Sequence, residues 1–196
     1  AAARFLEQAS WGPTPDSVGR VMQIGRDAWL TEQFNASASV YSDNIGGMPA
    51  LTSLQSQFMR NAIHGNDQLR QRVAFALGQI LVVSGQKLAS HPQMAPYQQL
   101  LLNNAFGNFR DLLREVTLSP SMGHFLDMVN NDKPSYPGFA PNENYARELL
   151  QLFTIGPGPY TETDVKQLSL AFTGWTYPTM SGANATWPNP PHYTGQ

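Results

Sequence analysis

Apolar residues recur at helical intervals along almost the whole chain, and this spacing is the feature that most limits the fold. The strongest case lies at 68–84, "QLRQRVAFALGQILVVS", which is apolar nearly all round from Val73 to Val83. Its length and the spacing of Leu69, Val73, Ala76 and Ile80 favour a helix over a strand. A helix that is apolar on all sides is usually buried, so we expect this one to be the central, most buried element.

The remaining periodic segments also predict helices, several of which begin at recognisable caps. Thr14 before Pro15 is typical of a helix start, and Thr161 with Asp164 fits a variant of the capping box. No repeat or convincing strand pair is present. The sequence therefore predicts an all-α fold: a compact domain of about nine or ten helices over 1–176, packed around the helix near 68–84. The Pro-rich, aromatic segment 177–196 has no periodicity and is predicted to be an extended tail.

Composition excludes several classes of protein. Charged residues make up 13 % of the chain against the usual ~25 %, the net charge is -2, and no basic run is present, so we expect no nucleic-acid partner. The absence of Cys excludes disulfides and thiolate nucleophiles. No apolar run reaches the ~20 residues that a membrane span requires. The opening "AAARFLEQAS" does not have the pattern of a signal peptide.

Polar residues interrupt the apolar helical pattern most densely in the stretch Asn130–Gly156, which we call the polar stretch. At 100° per residue, the helix after Pro141 has one apolar arc and one polar arc. Asn142 is a suitable N-cap, Glu143 and Arg147 form an i,i+4 pair, and Glu148 lies at the edge of the apolar arc.

A partly buried Glu148 needs a partner, and two interpretations remain open. In the first, Glu148 forms a structural ion pair with Arg70 or Arg72, which lie where the dipole of the 68–84 helix disfavours cations. In the second, Glu148 is a general acid or base, and Asp132 and Arg147 are the other catalytic candidates. The structural interpretation is favoured.

Several side chains are candidates for binding. Asp127–Asp132 supplies oxygen ligands of the kind that Ca²⁺ prefers, but it lacks the spacing of an EF-hand loop. We therefore predict no metal and no cofactor, with a calcium ion near Asp127–Asp132 as the alternative. The candidate binding residues are Asn130, Asn131, Asp132, Asn142, Glu143, Trp175 and Trp187. Because the tail cannot bury its own aromatic rings, we expect it to dock on a partner or on a further region of the same protein.

Five blocks resemble one known family in the order in which that family has them: "FLEQASWGPTPDSV", "LRQRVAFALGQILVVS", "NFRDLLREVTLSPSMGHFLDMVNNDKP", "PNENYARELLQLFTIG" and "YTETDVKQLSLAFTGWTY". The chain is identified as a member of the bacterial family "domain of unknown function 1800". The resemblance implies a mostly helical, exported protein whose gene often neighbours that of a sulfatase-like exported protein. It also implies a second helical region beyond the "GWTY" block, and it supplies no catalytic residues.

Two functions follow as hypotheses. The first is an extracytoplasmic binding or assembly module of the cell envelope or extracellular space, with a sulfatase-like exported protein as a possible partner. It depends on the low charge, the amide-rich surface and the aromatic tail. The alternative is a hydrolase that uses carboxylates of the polar stretch on an extracellular substrate. It predicts that Glu148, Asp132 and an arginine converge on an open cleft.

Overall fold

The computed structural model describes residues 1–42, 50–88, 94–134 and 140–175. Within these ranges the chain forms eleven helices and no strand, and nine of the helices have seven or more residues. The predicted all-α fold is confirmed. The helices are α1 Ala2–Ala9, α2 Pro15–Ile24, α3 Arg26–Asn35, α4 Ala50–His64, α5 Gln68–Ile80, α6 Gly85–Leu88, α7 Met94–Asn103, α8 Phe109–Thr117, α9 Pro120–Phe125, α10 Asn144–Glu148 continued by a π-helix over Leu149–Thr154, and α11 Glu162–Leu170.

The backbone divides into two compact units. Unit 1 comprises Ala1–Gln79 and Ala89–Leu112, and unit 2 comprises Ile80–Leu88 and Leu113–Gln196. The predicted division at residue 176 stays a prediction, because the segment after Trp175 lies outside the described residues. Among the helices that the structure describes, none is both long and apolar enough to cross a bilayer.

The first three helices of unit 1 follow directly from local sequence. Thr14 caps α2 by accepting the N–H of Ser17, and the Ser17 hydroxyl accepts the N–H of Thr14, which completes a capping box. Gly25 ends the helix at φ 83°, a conformation that only glycine adopts without strain. The short connections let these helices share one apolar cluster, formed by Leu6, Ala9, Val21 and Trp29.

Helix α5 differs from its prediction in length and burial. It ends at Ile80, and 81–84 is not helical. Gln71 is its one fully buried side chain, whereas Phe75 is 40 % exposed and Ile80 is 46 % exposed. The expectation that this helix is the most buried element is therefore wrong. A helix with apolar residues on all sides is fully buried only when other elements pack against every side. In this structure, neighbouring residues cover only part of the circumference of α5.

A buried carboxylate fixes the start of α5. Asp67 is completely buried and accepts hydrogen bonds from the Ser39 N–H at 2.8 Å, the Ser39 hydroxyl at 2.6 Å and the Gln71 amide at 3.3 Å. Gly65 lies so close that a Cβ there would be 2.4 Å from the Asn61 carbonyl oxygen and 2.8 Å from Asp67 Oδ1. The hydrogen bonds of Asp67 and the close packing of Gly65 therefore determine the conformation of the turn between α4 and α5.

The core of unit 2 is centred on Tyr145, which is 2 % exposed. Its ring lies edge-on to Phe172, with centroids 4.9 Å apart. Its hydroxyl lies 2.6 Å from the Thr117 hydroxyl, which donates its own hydrogen to the Leu113 carbonyl at 2.7 Å. Tyr145 is therefore the donor to Thr117, and burial raises the pKa of Tyr145 to about 12.

The helix after Pro141 changes type within the polar stretch. It is an α-helix from Asn144 to Glu148 and a π-helix from Leu149 to Thr154. Tyr145, Ala146 and Phe153 are buried as the 100° spacing predicts, but Leu152 is 60 % exposed. The wider π turn advances less than 100° per residue, so Leu152 leaves the apolar arc on which the sequence placed it.

Candidate functional site

Asn131, near the start of the polar stretch, is a buried residue that bonds to two other segments. It is 5 % exposed. Its side-chain amide bonds to both backbone polar groups of Asn142: Nδ2 donates to the carbonyl at 3.1 Å, and Oδ1 accepts the N–H at 2.7 Å. Its own carbonyl accepts the N–H of Gly174 at 2.8 Å. The side chain and the backbone carbonyl of Asn131 together therefore link the start of α10 to the segment that follows α11.

Two residues shortly before Asn131 in the chain adopt left-handed backbone conformations. Asp127 has φ 56° and Asn130 has φ 55°, a region that Asp and Asn tolerate better than other non-glycine residues. Asn130 donates its N–H to the carbonyl of Trp175 at 2.7 Å. The predicted binding residues Asn130, Asn131 and Trp175 are thus brought together by backbone bonds.

Asp127 joins three parts of unit 2. Its Oδ1 accepts a hydrogen bond from Lys87 at 2.6 Å, and its Oδ2 accepts one from the Asn144 side chain at 3.0 Å. Lys87 also donates to the Phe125 carbonyl at 2.8 Å. The Asn142 side chain accepts the backbone N–H of Asn144 at 2.8 Å. The N-cap position of α10 is nevertheless Glu143, whose side chain makes no capping hydrogen bond, so the prediction of Asn142 as the N-cap is wrong by one residue.

Arg147 is held by two glutamates. Its guanidinium lies 2.8 Å from Glu143, the predicted i,i+4 partner, and it forms two hydrogen bonds to Glu162 at 2.6 and 2.8 Å. The bidentate hydrogen bonds to Glu162 raise the pKa of Arg147 and lower that of Glu162. Arg147 therefore links α10 to α11 as a permanent cation.

The other predicted catalytic residues do not join this ion-pair cluster. Glu148 is half-buried, as expected at the edge of the arc, and Asp132 is exposed. The predicted pair of Glu148 with Arg70 or Arg72 joins residues of different units, and it stays a prediction. Within unit 1, the two arginines contact aromatic rings: the guanidinium carbon of Arg70 is 4.6 Å from the ring centre of Phe106, and that of Arg72 is 5.0 Å from the ring centre of Trp11.

The described ranges contain no group of three His, Cys, Asp or Glu side chains that could hold a metal ion. Both carboxylate oxygens of Asp127 already accept hydrogen bonds. The calcium alternative at Asp127–Asp132 stays a prediction. Trp187 and the rest of the tail lie outside the described residues, so the predicted docking of the tail also stays a prediction.

A pocket of about 700 Å³ lies entirely within unit 1. Three segments line it: the end of α1 with the start of α2, one side of α3, and the end of α4 with the start of α5. Its lining includes the buried residues Leu6 and Trp29. We call its exposed lining residues, among them Asp16, Met59, Ile63 and His64, the rim.

Two glutamine side chains brace the walls of this pocket. Gln68 accepts the N–H of Trp11 at 3.2 Å and donates to the carbonyls of Ala62 and Gly65 at 3.0 and 2.8 Å. Gln33 accepts the N–H of Leu69 at 3.1 Å and donates to the carbonyl of Asn66 at 3.0 Å. Sequence analysis missed this pocket, because its residues come from separate segments that form no motif.

These observations define an all-α chain, within the described residues, in which Asn131 and Arg147 of the polar stretch are held by hydrogen bonds and ion pairs. The model of one family, described as "Protein of unknown function (DUF1800)", matches residues 4–195. The chain belongs to that family, as its five sequence blocks indicated. A search of curated proteins and a search of solved structures gave no match.

Proposed function

We propose that the chain is a non-catalytic binding module that acts outside the cytoplasm and contacts a protein partner. One observation carries the proposal: the π-helix and the residue that follows it expose two large apolar side chains in the polar stretch, in which Asn131 and Arg147 are held by protein partners. Leu152 is 60 % exposed and Ile155 is 56 % exposed. π turns inside helices often mark functional positions, and exposed apolar side chains on a rigid element suit a protein contact.

The charged groups in and next to the polar stretch support binding over catalysis. Arg147 is paired with two glutamates, and Asp127 is paired with Lys87 and Asn144. A catalytic group must be able to exchange a proton or contact a substrate, whereas these groups already have protein partners. Their arrangement instead fixes the helix that carries Leu152 and Ile155.

A sulfatase-like exported protein is the partner that the family resemblance suggests, and the same resemblance supports the extracytoplasmic location. The test is calorimetric titration of that neighbouring gene's product into the wild-type chain and into a Leu152→Gln/Ile155→Gln variant. Binding that the double variant weakens at least roughly tenfold supports the proposal. Met22→Gln, which alters a side chain that is 76 % exposed in unit 1, is the control and should bind as the wild type does. Equal binding by the wild type and the double variant contradicts the proposed contact.

The alternative function is a hydrolase that uses Glu148. Its test is a screen of model esters, glycosides and sulfate esters with Ca²⁺, Mg²⁺, Mn²⁺ or Zn²⁺ added singly, comparing wild type with Glu148→Gln. The proposal predicts no turnover that depends on Glu148. Turnover that Glu148→Gln abolishes while the melting temperature is unchanged would establish the hydrolase in place of the binding module.

A further inference from the structure

We infer that the pocket of unit 1 binds a small amphipathic molecule, with its apolar body inside the pocket and an uncharged or cationic head group at the rim. This inference goes beyond the proposed protein contact, which lies in unit 2. It depends on the size, the rigidity, the apolar lining and the charge of the pocket.

Size and rigidity both suit a small molecule. A volume of about 700 Å³ lies within the range of about 300–1,000 Å³ that is typical of small-molecule pockets. Gln33 and Gln68 cross-link the three lining segments through five hydrogen bonds between 2.8 and 3.2 Å. A site held in this way is formed before the ligand arrives, which lowers the entropic cost of binding.

The lining indicates an apolar ligand body. Trp11 lies edge-on to Phe58, with ring centroids 5.4 Å apart, and both rings line the pocket. Met59 and Ile63 are one helical turn apart on α4 and are 55 % and 65 % exposed. Because these side chains are in water, an apolar group that covers them gains the free energy of their burial.

Polar ligands such as sugars fit this lining poorly. The Gln68 amide already uses its oxygen and both N–H groups on the protein. The Ser10 hydroxyl donates to the Leu6 carbonyl at 2.6 Å, and the Ser17 hydroxyl belongs to the capping box of α2. A sugar needs several free hydrogen-bonding groups, and these three side chains have little capacity left. The indole Nε1 of Trp11 is a buried donor of the lining that has no partner among the described residues, and one donor is too few for a sugar.

The charge of the rim determines which head group of the amphipathic ligand is favoured. Asp16 and His64 are the lining residues of the described chain with acidic or imidazole side chains, and both are exposed. The Asp16 carboxylate attracts a cation and repels an anion. Arg72 lies against the ring of Trp11, but it is not itself a lining residue. An amphiphile with an ammonium head group is therefore favoured over one with a sulfate head group.

The test uses the whole chain and the uncharged fluorophore N-phenyl-1-naphthylamine. We expect a saturable rise in fluorescence at one molecule per chain. A Met59→Gln/Ile63→Gln variant should bind at least roughly tenfold more weakly, because it removes apolar contacts from the rim. Met22→Gln, which changes an exposed methionine of α2 outside the pocket, should bind as the wild type does. All substitutions are at exposed positions, and circular dichroism verifies the folding of each variant.

Competition then tests the head group. Dodecyltrimethylammonium should displace the probe from the wild type at a lower concentration than dodecyl sulfate does, both below their micelle concentrations. Asp16→Asn should reduce this preference. Absence of saturable probe binding, equal weakening by Met22→Gln, or a preference for dodecyl sulfate would overturn the inference. Sedimentation velocity supplies the last check. Probe binding that falls as the chain self-associates would show that a second copy occupies the pocket, and this result would overturn the inference. None of these outcomes depends on the partner titration in unit 2.

Discussion

At the scale of single residues, Tyr145 shows how a buried polar group specifies a core. The hydrogen bond to Thr117 satisfies its hydroxyl inside unit 2. We predict that Tyr145→Phe lowers the free energy of unfolding by about 1 kcal/mol, the net value of one such bond. Circular dichroism during urea titration measures it. An unchanged unfolding midpoint would contradict this role.

The raised pKa of Tyr145 adds an alkaline signature. Its folded pKa of about 12 lies above the unfolded value of about 10, so its contribution is complete below about pH 10 and is lost as the pH rises toward 12. Tyr145→Phe removes this ionisation. The stability of the wild type should therefore fall more steeply than that of the variant over this range, and parallel pH curves would contradict the assignment.

Gly65 is a second residue at which close packing decides the outcome. A Cβ there would lie 2.4 Å from the Asn61 carbonyl oxygen, so the α4–α5 turn would have to shift. We predict that Gly65→Ala lowers the free energy of unfolding by about 2 kcal/mol. Gly19→Ala is the matched control: its Cβ meets nothing within 4 Å in the interior of α2, and it should stabilise the chain by up to ~1 kcal/mol. Thermal melting of both variants measures the contrast, and a loss of stability in both would contradict it.

Sequence identified individual residues where the relevant contact is local. The caps at Thr14 and Thr161 and the pair Glu143–Arg147 connect residues three or four positions apart, and all are confirmed. Asp67 was missed because its partners at Ser39 lie 28 residues away. A buried carboxylate without an adjacent cation leaves no pattern in the sequence.

At the scale of elements, the link between α10 and α11 depends on pH. Hydrogen bonding to Arg147 lowers the folded pKa of Glu162 below its unfolded value of about 4.3. Its contribution to stability is therefore complete above that unfolded pKa and is lost as the pH falls through the folded pKa. We predict a steeper loss of stability below about pH 4.5 in the wild type than in Glu162→Gln. Urea midpoints between about pH 3 and 6 measure it, and identical slopes would contradict the role of this ion pair.

Two helices show what periodicity could and could not predict. The helical character of 68–80 was correct, but its burial was overestimated, because apolar composition does not report which sides have neighbours. In the polar stretch, a fixed 100° step placed Leu152 with the core, whereas the π turn exposes it. A change in helix type depends on local packing, and the sequence carries no reliable sign of it.

At the scale of the whole molecule, the all-α class and the family followed from the sequence, whereas the division into two units and the pocket did not. The pocket requires α1, α3 and α4 to meet, which is a property of tertiary packing. Unit 1 contains the pocket that Gln33 and Gln68 brace, and unit 2 contains the exposed side chains of Leu152 and Ile155.

The central claim is that Asn131 holds the polar stretch in place, and its most direct test is the stability of Asn131→Ala. If the polar stretch is a structural support, losing this amide leaves two backbone groups of Asn142 without their partner. We predict a fall of about 2–4 kcal/mol in the free energy of unfolding, whereas the control Asn35→Ala, at an exposed position, should change it by less than ~0.5 kcal/mol. Urea titration of the two variants and the wild type decides between the two outcomes. Equal stability of all three chains would contradict the claim that Asn131 holds the polar stretch in place.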